Sequence, residues 1–341
     1  MHSSSACRNS RKHTHNFIVP KNTFTHPTKK NRKEIMKVLV LTEKPFAAAA
    51  VNGIREIVEG AGHELALLES YTDRAAMLQA VSDAEALIIR SDKINAEVMD
   101  AAPKLRIIVR AGAGFDNVDL EAATARHIVV MNTPGQNANA VAELCFGLLV
   151  FAARKFYTGA AGSELMGKRL GILAFGNVGR NVSRIAKGFG MEVWAYDAFC
   201  PKEAIEAAGV HAAADRDELF RECDVISLHI PATAETKQSI NHDLCATMKK
   251  NAILLNTARK EVIDEAGLLA LMNERTDLRY ITDIKPDLDA EFAAQCAGRY
   301  FATPKKMGAQ TAEANINAGL AAARQICDFF ATGNTRFQVN K

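Results

Sequence analysis

Arg259 lies in the run Leu254-Leu-Asn-Thr-Ala-Arg-Lys260, just past an apolar stretch that reads as a buried strand. Parallel sheets bind ligands beyond the carboxyl ends of their strands. A guanidinium there offers a planar fork that matches a carboxylate. Lys305 and Lys306, in Thr303-Pro-Lys-Lys-Met-Gly-Ala-Gln-Thr311, follow a second short strand. They are candidates to move a proton, though two solvated loop lysines are the blander reading. Histidine is the usual proton carrier. The nine histidines stand at 2, 13, 15, 26, 63, 127, 211, 229 and 242, and none lies beyond His242. His229 ends a strand and reads as structural or cofactor-side.

What gives these groups a chemistry is the stretch from Lys168 to Asp197. An apolar strand (170–175) runs into a turn with Gly176 and Gly179. A helix follows, with Val178, Val182, Ile185 and Phe189 on one stripe, and then a second strand (192–196) that stops at Asp197. Glycines let the backbone approach a pyrophosphate, the helix start supplies free N–H groups, and an acid about 20 residues on accepts the ribose hydroxyls. The first glycine of the usual triplet is Ala174. Asp197 is followed by Ala198 and Phe199, not by an arginine, and a carboxylate repels a 2′-phosphate, so NAD is expected over NADP. A hydride carrier needs one group to hold a carboxylate or carbonyl and one to move a proton, the roles open to Arg259 and the lysines.

The chain has 341 residues, 48% hydrophobic and 24% charged, a globular composition with room for about two domains. The formal charge of +3 is unevenly placed, with +7 in residues 1–35 and −4 in the rest. The body is therefore mildly acidic, and neither nucleic acid nor membrane is expected as a partner. Residues 1–35 read as a disordered basic leader without the apolar core of a secretory signal. A transit peptide shares that composition, so organellar targeting stays open beside the expected cytoplasmic location. The seven cysteines are scattered without CxxC or Cys/His spacing, so neither disulfides nor a metal site is expected.

From Met36 onward, strands and helices alternate. That pattern implies α/β architecture with parallel sheets covered on both faces. Arg90-Ser91 and Arg110-Ala-Gly-Ala-Gly114 stand at two strand ends, and Asn132-Thr-Pro-Gly135 is a turn cluster suited to a domain crossover. A long helix (139–156) follows it, and an amphipathic helix (311–330) closes the pattern.

Taken together, several runs give the chain a recognisable pattern: Arg110-Ala-Gly-Ala-Gly-Phe-Asp-Asn-Val-Asp119, Met131-Asn-Thr-Pro134, the turn at 176–179 with Asp197, Leu228-His-Ile-Pro231, Asn256-Thr-Ala-Arg259 and Asp283. It resembles the D-isomer-specific 2-hydroxyacid dehydrogenases, and within them the branch that oxidises 3-phospho-D-glycerate. The resemblance implies two flavodoxin/Rossmann-like doubly wound domains around a cleft. Residues 36–134 and 312–341 would form a discontinuous substrate-binding domain, and 135–311 an NAD-binding Rossmann domain. By the same resemblance Arg259 binds the substrate carboxylate and ketone oxygen, and Asp283 holds the nicotinamide carboxamide. Arg90, Ser91, Arg110, Gly112 and Ala113 line the substrate, the two arginines toward its phosphate. The cofactor would lie against Gly176, Asn177, Val178, Gly179, Asp197, His229, Ile230, Pro231, Thr257, Ala258, Arg259 and Asp283, with Ala113 and Gly308 beside it. A homodimer is implied, with the helix from Asn139 as a candidate interface. No C-terminal regulatory module is expected.

The chain departs from the family pattern twice. Where the family carries Pro-His-x-Gly, this chain has Pro304-Lys-Lys-Met-Gly308. Counting back from the last helix puts Lys306 in the histidine's place, and counting forward puts Lys305 there; Lys306 is favoured. No glutamate stands in register after Asp283, and Asp287 is at best a weak partner for the lysine. Cationic neighbours would lower the lysine's pKa from its ordinary value near 10.4. The expected reaction is NAD-dependent oxidation of 3-phospho-D-glycerate to 3-phosphohydroxypyruvate, with the substrate a small phosphorylated 2-hydroxy acid. A glyoxylate or hydroxypyruvate reductase is the alternative, and a non-catalytic NAD-sensing protein the alternative of another class.

Overall fold

A computed structural model of the chain describes residues 34–340. The expected basic leader lies outside the described residues, apart from its last two positions.

The first half builds a five-stranded, all-parallel sheet. Its strands are β1 (Lys37–Thr42), β2 (Glu64–Glu69), β3 (Ala86–Ile89), β4 (Ile107–Arg110) and β5 (Val129–Asn132), in the order β2-β1-β3-β4-β5. Helices α1 (Ala48–Gly60), α2 (Arg74–Val81), α3 (Ala96–Asp100) and α4 (Leu120–Ala125) cover both faces. Central strands are consequently apolar throughout, with Val38, Leu39, Val40 and Leu41 all buried. Asp73, Asn95 and Asp119 cap three of these helices by accepting a first-turn N–H.

The second half builds a seven-stranded parallel sheet. A long helix, α5 (Ala138–Ala153), leads into β6 (Arg169–Leu173), α6 (Asn177–Gly188) and β7 (Glu192–Tyr196). Next come α7 (Lys202–Glu206), β8 (His211–Ala212), α8 (Arg216–Glu222), β9 (Val225–Leu228), α9 (His242–Ala246) and β10 (Ile253–Asn256). The remainder is α10 (Glu265–Glu274), β11 (Arg279–Thr282), α11 (Asp289–Gln295), β12 (Tyr300–Ala302) and α12 (Ala312–Thr332). The sheet order is β12-β11-β10-β9-β6-β7-β8.

Both orders are doubly wound. The first is flavodoxin-like, and the second is the dinucleotide-binding order extended by one edge strand. Such sheets reverse direction at a switch point, between β1 and β3 in one and between β6 and β9 in the other. Ligands bind at these openings.

Helix α12 returns to the first sheet. Ala318, Ala322, Ala323 and Ile326 join Val38, Val40 and Ile54 in one buried cluster. Three sequence expectations shift. The two-residue β8 and helix α11 were not foreseen, being too short and too polar to show a period. The long helix stops at Ala153 instead of Phe156, because Lys155, Phe156 and Tyr157 all take left-handed backbone, with φ of 50, 57 and 56°.

Candidate active site

The glycine turn leaves β6 at the second switch point. Ala174 holds φ +80°, a left-handed conformation in which glycine is normally required. Gly176 has open space around it, and a Cβ there would meet nothing within 4 Å. Gly179 is packed tightly instead, since a Cβ would stand 2.4 Å from the Ala174 carbonyl oxygen. One position is open to an approaching ligand and the other fixes helix to strand. No side chain caps α6 at Gly176, so its first N–H groups are available to an anion. Asn177 opens the helix beneath Gly135, with Val178 beside it. The Asp197 carboxylate, at the end of β7, accepts the N–H groups of Phe175, Phe199 and Cys200 at 2.7–2.8 Å. That ties the turn to the acid beside it. The geometry fits the diphosphate and ribose of a dinucleotide.

At the carboxyl end of β9, His229 donates its backbone N–H to the Leu173 carbonyl across the switch point. Its ring lies 2.9 Å from Ser227 Oγ, and Thr257 Oγ1 stands between it and the buried Cys145 thiol. Enclosure of the ring drives its pKa down to about 3 although the residue keeps some exposed surface. It is neutral at physiological pH and unsuited to carry the proton. Ile230 and Pro231 continue into a loop held by Thr236, whose hydroxyl donates to the Pro231 carbonyl at 2.6 Å.

β10 delivers Arg259. The buried Asn256 accepts the Ala258 N–H and donates to the Arg259 carbonyl, both at 2.9 Å, which fixes the turn. The guanidinium crosses to the first sheet's loops, where it stands 3.8 Å from Asp116 and against Gly114. Those loops are pinned to β5: Asn132 donates to the Ala113 carbonyl and Thr133 to that of Gly112. Arg110 folds back over Gly112, where a Cβ would be 1.5 Å from its Nη1. Its Nε donates to the Arg90 carbonyl at 3.0 Å. Burial and the neighbouring Arg90 and Arg259 charges push its pKa down. Arg90 is otherwise engaged, donating to the Lys44 and Pro45 carbonyls and to Asn315 of α12. Ser91 is exposed beside it.

Lys306 faces this cluster. Desolvation and the Arg259 and Arg110 charges lower its pKa, while Asp283 and Asp116 oppose them. It keeps an exposed flank, so water tempers that shift. Asp283, at the end of β11, shapes the lysine's loop. It accepts the N–H groups of Met307 and Gly308 at 2.8 Å and the Thr303 hydroxyl at 2.9 Å.

Lys305 is exposed, its carbonyl accepting from Thr303 Oγ1. Asp287 departs from expectation. It pairs with Lys260, and the carboxylates acting on Lys306 are Asp283 and Asp116. Sequence reasoning missed Asp116 as a site residue; its place two residues past the glycines of the 110–119 run was the available signal. Asn315 gave none, because only the fold brings it to Arg90.

This arrangement defines a dinucleotide-binding sheet facing a cationic cleft, the architecture of a hydride-transferring enzyme. Residues 150–291 match the NAD-binding domain of the D-isomer-specific 2-hydroxyacid dehydrogenases. A hydroxypyruvate reductase of Thermotoga maritima is 37% identical over 219 residues, 60% of this chain and 70% of that protein. The D-3-phosphoglycerate dehydrogenase of Methanocaldococcus jannaschii is 38% identical over 267 residues, 73% of this chain; the match spans only half of that longer protein. An NAD+-bound 3-phosphoglycerate dehydrogenase structure from Entamoeba histolytica superposes with a TM-score of 0.81 at 51% identity, covering 90% of this chain and 99% of that one. The chain belongs to the D-isomer-specific 2-hydroxyacid dehydrogenase family.

Proposed function

We propose that the protein oxidises 3-phospho-D-glycerate to 3-phosphohydroxypyruvate with NAD, as a homodimer in which residues 36–134 with 312–341 bind substrate and 135–311 bind cofactor. The observation that carries this reading is the convergence of Arg259, Arg110 and Lys306 on one cleft opposite the glycine turn. A phosphorylated hydroxy acid brings two anionic ends, and such a cluster suits both.

NAD, when bound, supplies the hydride acceptor. Arg259 aligns the carboxylate and polarises the C2 oxygen through its fork. Arg110, whose Nη groups make no hydrogen bond to the described residues, takes the phosphate, and Arg90 adds charge behind it. Lys306 in its neutral form accepts the C2 hydroxyl proton as the hydride leaves. Asp197 and the α6 N–H groups hold the ribose and diphosphate, while Asp283 holds the Lys306 loop and retains lone pairs for the carboxamide. The match to phosphoglycerate dehydrogenases supports the substrate; the T. maritima relative supports hydroxypyruvate as the alternative.

NADH formation from 3-phosphoglycerate tests the reading. The base must be deprotonated, so the wild-type rate is expected to rise with pH through an inflection below the ordinary lysine value near 10.4. Lys306→Ala should lose about 10²–10⁴-fold in kcat and that inflection with it. An unchanged profile in Lys306→Ala removes the lysine mechanism. NAD binding without turnover on phosphoglycerate, but with turnover on glyoxylate, moves the assignment to the reductase.

A further inference from the structure

The opposite, amino-terminal edge of the seven-stranded sheet carries a second cationic feature. A cavity of about 380 Å³ opens there, lined by Lys155, Lys168, Lys250 and Arg279 with Asp224 as the one acid. Its position follows from the topology: Lys168 precedes β6, Asp224 precedes β9, Lys250 precedes β10 and Arg279 opens β11.

Local charge pairing leaves these four cations over. Asp224 accepts the Arg169 N–H at 2.8 Å and faces Lys249 at 3.9 Å. Arg169 itself bridges Glu192 and Glu222. Arg275 holds Asp277 at 2.8 Å, and Asp277 also accepts the Asn251 N–H. Asp224, Glu192, Glu222 and Asp277 are thus matched by cations outside the cavity lining, while Glu164, in the loop between Ser163 and Leu165, is exposed and forms no ion pair among the described residues. Among the described residues, Lys155, Lys168, Lys250 and Arg279 form no ion pair. Four cations around a single, already paired carboxylate leave the cavity with net positive charge that an anion would offset.

The wall is also constructed at a cost. Lys155 is presented by three successive left-handed residues that are not glycine, a conformation costing on the order of 1–3 kcal/mol each. Phe151 holds this turn by edge contacts to Phe156 and Tyr157, with ring centroids 5.0 and 5.3 Å away. The chain then returns so that the Ser163 N–H donates to the Ala153 carbonyl at 2.8 Å. Gly162 is required there, since a Cβ would stand 2.3 Å from that same oxygen.

We propose that this cavity binds a small polyanion bearing phosphate or paired carboxylate groups, at a site separate from the cleft and at the other end of strands β10 and β11. The volume lies within the range of small-ligand pockets. The inference does not depend on which hydroxy acid the cleft takes.

Titration calorimetry of the full chain with inorganic pyrophosphate, in the presence of saturating NADH so that the diphosphate site at the glycine turn is already filled, tests it. The wild type should bind two equivalents, one in the cleft and one in the cavity. Lys250→Ala/Arg279→Ala should weaken one of them on the order of tenfold or more, the expected loss for charge-assisted contacts, while NADH binding stays unchanged. Lys155→Ala/Lys168→Ala, which alters the opposite wall, should do the same, so a misfolded variant cannot decide the outcome. Arg110→Ala should remove only the other equivalent, and Lys250→Arg should retain both. A single equivalent abolished by Arg110→Ala, or two equivalents insensitive to both cavity variants, overturns the proposal.

Discussion

At the scale of single residues, Ala174 carries a strain that the family turn ordinarily avoids. Its φ of +80° places Cβ in the region that costs an L-residue about 1–2 kcal/mol. Ala174→Gly removes that cost and adds back about 0.4–1 kcal/mol of unfolded-chain entropy. Urea unfolding should therefore show a net gain of about 0.5–1 kcal/mol, and a loss would mean that surrounding contacts relax the strain. His229 gives a prediction of the opposite kind. Its folded pKa, about 3, lies below the unfolded value of 6.5, so the unfolded state takes up the proton first. Stability attributable to the neutral ring is present above about pH 6.5 and lost as pH falls toward 3. His229→Gln should flatten the fall in unfolding free energy between neutral and mildly acid pH. The identity of both residues was legible in the sequence. The strain and the enclosure were not, because they are properties of the backbone path and of what packs around a ring.

At the scale of elements, the strand–turn–helix–strand unit was the most legible part, since a continuous apolar run, two glycines and a distant acid are local signals. The expected strand 192–196 is β7 without a change, and the cleft residues stand at strand ends as the alternation implied. The 303–308 segment was the least legible. Whether Lys305 or Lys306 faces the cleft depends on Asp283, a carboxylate some twenty residues earlier, which takes the Met307 and Gly308 N–H groups and so sets how the loop turns. Asp287 failed to reach the lysine for a similar reason: Lys260, at the end of another strand's turn, claims it. Asp283→Asn tests the positioning. An amide presents an N–H₂ where one of the two backbone donors needs an acceptor, costing about 1–3 kcal/mol. If Asp283 only held cofactor, KM for NAD would rise alone. Positioning predicts in addition a lower kcat and a displaced pH inflection, because Lys306 loses both its fixed place and an opposing charge.

At the scale of the whole molecule, the first sheet is completed by residues from the far end of the chain. Helix α12 packs so closely on α1 that a Cβ on Gly53 would stand 2.5 Å from Leu320 Cδ2. Beyond the helix, the chain lies against the edge of β5. The Val339 N–H donates to the Val130 carbonyl, the Val130 N–H to Asn340 Oδ1, and Asn340 Nδ2 to the Ile128 carbonyl, all at 2.8 Å. An edge strand that would otherwise present unpaired groups is covered in this way. The same helix supplies Asn315 to Arg90, so the closing segment reaches the cleft as well. Two consequences separate. Asn340→Ala leaves a buried N–H and a buried carbonyl without partners and should cost about 2–4 kcal/mol in urea unfolding, with NADH binding preserved. Deleting 312–341 exposes the apolar face built by Val38, Val40 and Ile54, and hydrogen exchange should then show β1, β3 and β4 unprotected while β6, β9 and β10 stay protected. Uniform loss of protection across both sheets would show instead that the two halves fold as one cooperative unit, with α12 essential to each.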